Sequence, residues 1–258
     1  MTENTHVSPP IGQEISCVLT RKDNLFNLNS PGFDAELKRF LELEKFGILN
    51  PRALFFPESN QYLSFSTLSE SDFLYRTLPN GAYFRMYSCR SPSDCNNTLD
   101  FVKSKLGRGE LKYNNFQVPV KDSEELLDLS SKWPVSNYDP EMPLGGEFSC
   151  VMNQVNPLAF KDISWLADLI SYSLAQEKTL DMIVASSKFE PQGHTLISAN
   201  QTHQMAAHTY DEYDSVYLNV GNILYSQKCI GPMNRARELL SPKKILYLKK
   251  SPISLPPL

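Results

Sequence analysis

Apolar residues recur at helical and at strand spacings in the first half of the chain. Residues 34–46 place Leu37, Phe40 and Leu41 on one helical face, with Asp34 at the N-cap position. Short apolar runs then predict strands at 15–20, 53–56, 62–65 and 83–87, and a second helix at 98–106. This set of elements predicts a small α/β domain over residues 14–113.

The second half contains the clearest helix of the sequence. Residues 162–176 place Ile163, Leu166 and Leu169 on one face, and Asp162 precedes them as an N-cap. The elements predicted after it are a strand at 180–185, a returning strand at 194–199, a helix at 203–219, a short strand at 223–226, a helix at 229–240 and a strand at 244–248. They predict a second α/β domain over residues 153–250.

Three segments lie outside these two domains. Residues 1–13 are polar and predict a disordered leader, and residues 251–258 form a Pro-rich tail. Residues 114–152 are also rich in proline and predict an ordered linker, with an acidic helix at 123–130.

Composition narrows the class of protein. The chain has 258 residues, of which 41% are hydrophobic, and a formal net charge of −4, which is typical of a globular protein. No apolar run reaches the roughly 18 residues that suggest a transmembrane helix, so we expect no membrane association. Five cysteines without a CxxC pair argue against a disulfide framework. We therefore expect an intracellular protein of the cytoplasm, the nucleus or both.

Fingerprints of common enzyme classes are absent from the sequence. It contains no GxGxxG, no GxxxxGK[ST] and no GxSxG. It has only four histidines, one of them in the polar leader, which leaves little for histidine-based catalysis.

The order of elements in the second half is shared with the zinc deaminases that act on nucleobases. Those enzymes carry H-x-E and P-C-x-x-C at the starts of two helices, which supply three zinc ligands and a catalytic glutamate. The matching positions hold His208 and Cys229 as vestigial ligands, but Tyr210 stands at the glutamate position and Pro232 at the second cysteine. Two ligands cannot hold a catalytic zinc with an open position, so we expect no catalysis and no zinc cofactor. The alternative is that His208 and Cys229 are ordinary core or capping residues.

The chain resembles the non-catalytic subunit of the eukaryotic heterodimeric tRNA wobble adenosine deaminase. Four features carry the resemblance: an α/β domain ahead of the deaminase-like one, the proline-led acidic linker 118–135 with Trp-Pro before Val135, the helix and hairpin of 162–199, and the segment 222–229 together with 243–248. The resemblance implies a cytidine-deaminase-like α/β/α sandwich with a mixed sheet, behind a small N-terminal α/β domain. The chain departs from the family pattern at Pro232, which stands where the family has a zinc ligand.

The resemblance implies a supporting role in adenosine-to-inosine editing at the tRNA wobble position. The chain would be a pseudo-deaminase that stabilises the catalytic subunit in a heterodimer and helps to bind tRNA. The competing hypothesis is an intracellular α/β protein-interaction scaffold with no RNA role. Salt-dependent tRNA binding separates the two, because phosphate contacts weaken steeply with salt.

A basic C-terminal region provides the candidate RNA contacts. Its cationic side chains outnumber its acids and could meet phosphates, or could equally be a solvated helix and strand edge. The candidate residues are Arg235, Arg237, Lys243, Lys244, Lys249 and Lys250.

Overall fold

Strands with a two-residue side-chain period make up about half of the residues that the structure describes. The computed structural model describes residues 12–20, 31–78, 81–88, 90, 92–106, 111–117, 145–175, 182–188 and 193–253. Within them the fold is α+β, with two six-stranded antiparallel sheets. No helix of these ranges is both long and apolar enough to cross a membrane.

The N-terminal sheet has the strand order β2-β3-β4-β5-β1-β6. Its strands are β1 (Gln13–Thr20), β2 (Ile48–Phe56), β3 (Gln61–Leu68), β4 (Ser71–Leu78), β5 (Gly81–Ser88) and β6 (Leu111–Gln117), and its helices are α1 (Pro31–Leu43) and α2 (Pro92–Leu106). A two-residue turn joins β3 to β4, and Glu70 takes a left-handed φ of 54° there. Few non-glycine residues adopt this conformation, and tight turns are one place where it occurs.

The C-terminal sheet has the strand order β12-β7-β11-β10-β9-β8. Its strands are β7 (Gly145–Asn153), β8 (Ile183–Lys188), β9 (His194–Ala199), β10 (His203–Tyr210), β11 (Ser215–Asn222) and β12 (Lys244–Ile253), and its helices are α3 (Leu158–Lys161), α4 (Ile163–Ala175) and α5 (Ile230–Leu240). Asp162 caps α4 as predicted, because its Oδ1 accepts the amides of Ser164 at 2.9 Å and Trp165 at 3.3 Å.

The two sheets pack face to face, and helices cover their outer faces. Leu37 of α1 packs on the outer face of the N-terminal sheet, and Leu166 of α4 packs on that of the C-terminal sheet. Between the sheets, Leu74 shares one apolar cluster with Ile197 and Ala206. Strands such as β4, β5, β10 and β11 are therefore buried on both faces along their whole length. The architecture is a four-layer sandwich of helices, sheet, sheet and helices.

The predicted helix at 203–219 is wrong. These residues form β10 and β11, an antiparallel hairpin closed by a 3-10 turn at Asp211–Tyr213 and by Asp214 with φ 50°. Their periodicity is two and not 3.6, because successive side chains face the other sheet and the helices in turn. Both environments are dry, so polar and apolar residues alternate without a solvated face to mark the pattern.

The predicted fold class and the family resemblance are wrong as well. A cytidine-deaminase-like sandwich needs a mixed sheet and a helix after the 194–199 hairpin, whereas here the second half is a fully antiparallel sheet with a strand at that place. The first half is likewise an antiparallel sheet with two helices. The chain is therefore not a degenerate deaminase fold.

Several local predictions are confirmed with the same or slightly shorter bounds. The helix at 162–176 is α4, the strand at 194–199 is β9, and the helix at 229–240 is α5. The predicted short strand at 223–226 is instead a connection that leads into a 3-10 turn at Ser226–Cys229. The leader up to residue 11, the acidic helix at 123–130 and the tail from residue 254 lie outside the described residues. The predicted division into domains stays a prediction.

Candidate functional site between the two sheets

The inner faces of both sheets carry ionisable and polar residues at alternate positions. These side chains meet in the middle of the sandwich, and we call this set the seam. Burying such groups is costly unless they are paired, and they collect at functional sites more often than elsewhere. The seam consists of Glu14, Asp72, Arg76, Tyr83, Arg85, Glu147, Ser149, Thr195, Gln204, His208, Tyr217 and Asn219, all of them buried.

His208 lies at the centre of the most reactive part of the seam. The hydroxyl of Thr195 on β9 lies 3.0 Å from His208 Nδ1. Asp72 Oδ2, on β4 of the other sheet, lies 2.5 Å from His208 Nε2. An ionised Asp72 can only accept, so the neutral imidazole carries its proton on Nε2. Nδ1 is then free to accept the proton of Thr195.

Asp72 is held ionised by a second partner. Arg85 Nη1 donates to Asp72 Oδ1, and the carboxylate thus joins the guanidinium to the imidazole. Burial raises the pKa of Asp72, but the charge of Arg85 and the hydrogen bond from His208 outweigh it, and the pKa is lowered overall. The carboxylate is therefore the resident anion of the seam at neutral pH.

His208 is held neutral by its surroundings. Burial lowers the pKa of His208, and the attraction of Asp72 compensates only in part. The ring of Tyr87 covers the imidazole, with centroids 4.4 Å apart and planes inclined by 45°. A neutral imidazole with one free nitrogen beside a hydroxyl can act as a base.

A carboxylate from β1 connects this group to the C-terminal sheet. Glu14 Oε1 accepts from Arg85 Nε at 3.2 Å and from Asn219 Nδ2 at 2.8 Å, and its Oε2 accepts from the hydroxyl of Ser149 at 2.8 Å. The carboxylate has a partner for each oxygen, and these partners come from both sheets. Eight residues of the seam thus form one hydrogen-bonded network: Thr195, His208, Asp72, Arg85, Glu14, Ser149, Asn219 and Tyr217.

The far end of the seam holds a third buried acid, Glu147. The hydroxyl of Tyr83 donates to Glu147 Oε1, and Gln204 Nε2 lies 3.2 Å from the same oxygen and 2.7 Å from the Tyr83 oxygen. Gly221 makes room for Gln204, since a Cβ there would lie 2.7 Å from its Nε2. Burial, and next the nearby charge of Glu14, raise the pKa of Glu147 to about 6.

We expect Glu147 to make the protein less stable as pH rises from 4.5 to 7. Its pKa is raised in the folded state, so the folded protein keeps a proton that the unfolded chain releases, and stability falls as pH passes through about 6. A rise from 4.5 to about 6 corresponds to about 2 kcal/mol. Relative to wild type, E147Q should therefore gain about 2 kcal/mol between pH 4.5 and pH 7, measured by urea denaturation.

The matched control is E212Q, which removes an exposed acid from the turn after β10 and leaves the interior unchanged. A difference between E147Q and wild type that does not vary with pH would contradict the expectation for Glu147.

A series of hydroxyl hydrogen bonds lies on the outer face of the N-terminal sheet. It begins at Ser71, the residue that precedes Asp72. The hydroxyl of Ser71 donates to Ser88 Oγ at 2.9 Å, and the hydroxyl of Ser88 donates to Asp94 Oδ2 at 3.0 Å. Ser71 directly follows the left-handed Glu70. The β3–β4 turn therefore positions reactive groups toward both faces of its sheet.

The structure does not bring together the residues predicted as vestigial zinc ligands. His208 faces the N-terminal sheet, whereas Cys229 lies in the apolar cluster on the opposite face of its sheet, with its Sγ 3.3 Å from the carbonyl oxygen of Gly146. Tyr210 is on β10 and shares a hydrogen bond with the hydroxyl of Tyr87. Pro232 is buried in the first turn of α5. Over the described ranges, no three His, Cys, Asp or Glu side chains are grouped as metal ligands would be.

The predicted RNA-binding residues are distributed over α5, the segment after it and β12. Arg235 donates from Nε and Nη2 to the carbonyl oxygen of Ser173 at 2.9 and 2.6 Å, so it binds the last turn of α4. Arg237 is half-buried on α5. The four lysines follow α5 in the chain: Lys243, Lys244, Lys249 and Lys250. The side chains of Lys243 and Lys244 are exposed. Contact with RNA stays a prediction.

Asp72, Arg85 and Glu14 were missed at the sequence level. The available signal was a charged residue within each of three strands that are otherwise mostly apolar, at an alternate position that one face of a sheet would share. Buried acids and bases in such strands need partners, which is a reason to search for a site.

Comparisons with known proteins assign no family. No family model matches the sequence, and no curated protein matches it. Among solved structures, the adenosylmethionine decarboxylase from Aquifex aeolicus VF5 is similar over 45% of this chain and 95% of its own, with 15% identity and a TM-score of 0.41. A putative glycine cleavage system transcriptional repressor covers 95% of this chain and 98% of its own at 10% identity and a TM-score of 0.21. An unknown protein from Galdieria sulphuraria covers 94% of this chain and 98% of its own at 9% identity and a TM-score of 0.22.

Proposed function

We propose that the protein is an enzyme and that the seam is its acid–base site for a small organic substrate. His208 carries the proton, the hydroxyl of Thr195 exchanges it, and Asp72 fixes the imidazole tautomer. One observation carries this proposal: His208 lies 3.0 Å from the hydroxyl of Thr195 at one nitrogen and 2.5 Å from Asp72 at the other. This is the order of nucleophile, base and orienting acid that activated hydroxyl groups need.

The physical basis is the state of each partner. The lowered pKa of His208 keeps the imidazole neutral and able to accept a proton at pH 7. When it accepts the proton of Thr195, the resulting imidazolium faces the carboxylate of Asp72, which stabilises it. The dry surroundings strengthen this attraction, because the effective dielectric constant is low.

This proposal replaces the non-catalytic editing subunit as the leading hypothesis. That hypothesis depended on a deaminase fold, and its main support is lost with the antiparallel second sheet. Binding of tRNA through the basic C-terminal region, and pairing with a catalytic deaminase subunit, stay predictions. Measuring tRNA binding at low and high salt tests the first of them.

Thr195→Val should abolish turnover with little effect on stability. Valine keeps the shape of threonine but has no hydroxyl, so the proton donor of the site is lost and the rate should fall by about 100-fold or more. Loss of one buried hydrogen bond should lower the free energy of unfolding by only about 1 kcal/mol. The assay follows ester hydrolysis and amide hydrolysis over a panel of small organic esters and amides.

The matched control is T209V. Thr209 is also buried, and its Oγ1 accepts the amide of His194 at 2.8 Å, but its hydrogen-bond partners do not include His208. We expect T209V to keep the wild-type rate. A panel in which wild type turns over no compound, or equal rates for T195V and wild type, would count against the proposed function.

A further inference from the structure

Arg85 is fixed by partners on three strands. Its Nη1 donates to Asp72 on β4, its Nε lies 3.2 Å from Glu14 Oε1 on β1, and its Nη2 lies 3.3 Å from the hydroxyl of Tyr217 on β11. The guanidinium is fully buried. Every nitrogen thus has an acceptor, and the side chain has no freedom to turn away from Asp72.

Glu14 is in turn fixed from the opposite sheet. Asn219 and Ser149 donate to its two oxygens, both at 2.8 Å, and Arg85 takes the remaining contact. A charge-assisted chain therefore runs from the C-terminal sheet through Glu14, Arg85 and Asp72, and returns to that sheet at His208. This series of hydrogen bonds includes more residues than are needed to hold one carboxylate in place.

We propose that Arg85 and Glu14 are positioning residues for the proposed acid–base site. Arg85 holds the Asp72 carboxylate toward His208 Nε2 and keeps it ionised, and Glu14 holds the Arg85 guanidinium in place from the other side. This inference rests on the proposed function, since positioning has a purpose only if His208 transfers protons.

Arg85 and Glu14 have opposite effects on the protonation of His208. Without Arg85, His208 would be the only cation available to Asp72, and the pair would favour the imidazolium, which cannot accept a proton. Without Glu14, the full charge of Arg85 would act on the imidazole and oppose its protonation. The titratable and charged groups that face His208 from the strands packed against it are Glu14, Asp72, Arg85, Tyr87 and Tyr217.

The test is a titration of His208 in the full chain by NMR of the labelled imidazole. In R85M we expect the midpoint of protonation to rise by about one pH unit, and in E14Q we expect it to fall. R85K keeps the charge and should keep the midpoint near that of wild type. A structural role alone would lower the stability of R85M and E14Q without moving the midpoint in opposite directions.

The matched control is R76M. Arg76 is a second fully buried arginine of the seam, but its Nη2 donates to the carbonyl oxygens of Asn200 and His203, at 3.0 and 3.1 Å. R76M should leave the midpoint of His208 unchanged. If R85M does not fold, a lower His208 midpoint in E14Q, together with an unchanged midpoint in R85K, still supports the positioning role.

The positioning role is overturned if the midpoint of R85M equals that of wild type, if E14Q raises it, or if R76M moves it as far as R85M does. Failure of the proposed function has a different signature. The T195V variant would then match wild type in turnover, while the titration of His208 would still shift in R85M.

Discussion

Asp72→Asn is expected to lower the free energy of unfolding by about 3 kcal/mol at pH 7 and to abolish turnover. Asparagine has nearly the volume of aspartate, so the loss comes from charge and not from a cavity. The buried Arg85 would keep only Glu14 as a charged partner, and the asparagine amide has a single acceptor oxygen for two donors, Arg85 and His208. Urea denaturation and the turnover assay measure the two effects.

The pH dependence of this loss has a defined sign. The pKa of Asp72 is lowered in the folded state, so its contribution to stability is present above the ordinary value of 3.8 and disappears as pH falls through the folded pKa. The difference between D72N and wild type should therefore shrink in acid. A difference that grows as pH falls would contradict the ion-pair explanation.

D94N provides the matched control for Asp72. Asp94, in the first turn of α2, pairs at 3.8 Å with Arg90, which precedes the helix, and both side chains are partly exposed to solvent. Exposed pairs of this kind contribute about 0–1 kcal/mol, so we expect D94N to lie within that range. A large loss in both variants would show that removing any carboxylate of this sheet is damaging, whatever its place.

The sequence predicts elements well where one face of a helix meets solvent. Residues 162–176 show an apolar stripe because the other side of α4 is exposed or half-buried, and the structure confirms that helix. Residues 203–219 lack such a contrast, because β10 and β11 are buried on both faces. Periodicity disappears when both environments are dry, and the hairpin was therefore predicted as a helix.

The candidate site depends on contacts that local pattern cannot supply. His208 meets Asp72 across 136 positions of the chain, and Arg85 meets Glu14 across 71. The sequence did single out His208, but for a metal site on a helix that does not exist. Once two sheets face each other, their inward charged residues must pair, and only the strand order tells which of them do.

Leu74→Ala is expected to lower the free energy of unfolding by about 2–5 kcal/mol. Leu74 is fully buried between the sheets, against Ile197 and Ala206 of the C-terminal sheet. Removing three carbon atoms there leaves a cavity that neither sheet can close without moving against the other. The exposed Leu43, 72% accessible at the end of α1, provides the control L43A, which should change stability by less than about 0.5 kcal/mol.

The loss in L74A should appear in the C-terminal half as well as in the sheet that carries the mutation. Trp165 packs against the apolar cluster on the outer face of the C-terminal sheet, so in a W133F background its fluorescence reports unfolding of the C-terminal half. We expect fluorescence and far-UV circular dichroism to give one shared midpoint, shifted equally in L74A, because the sheets share the apolar cluster and the seam. Two separate transitions, with the fluorescence midpoint unmoved by L74A, would show that the halves are stable independently. The buried charges of Asp72 and Arg85 would then require another explanation, since a seam that opens without loss of stability cannot keep water from them.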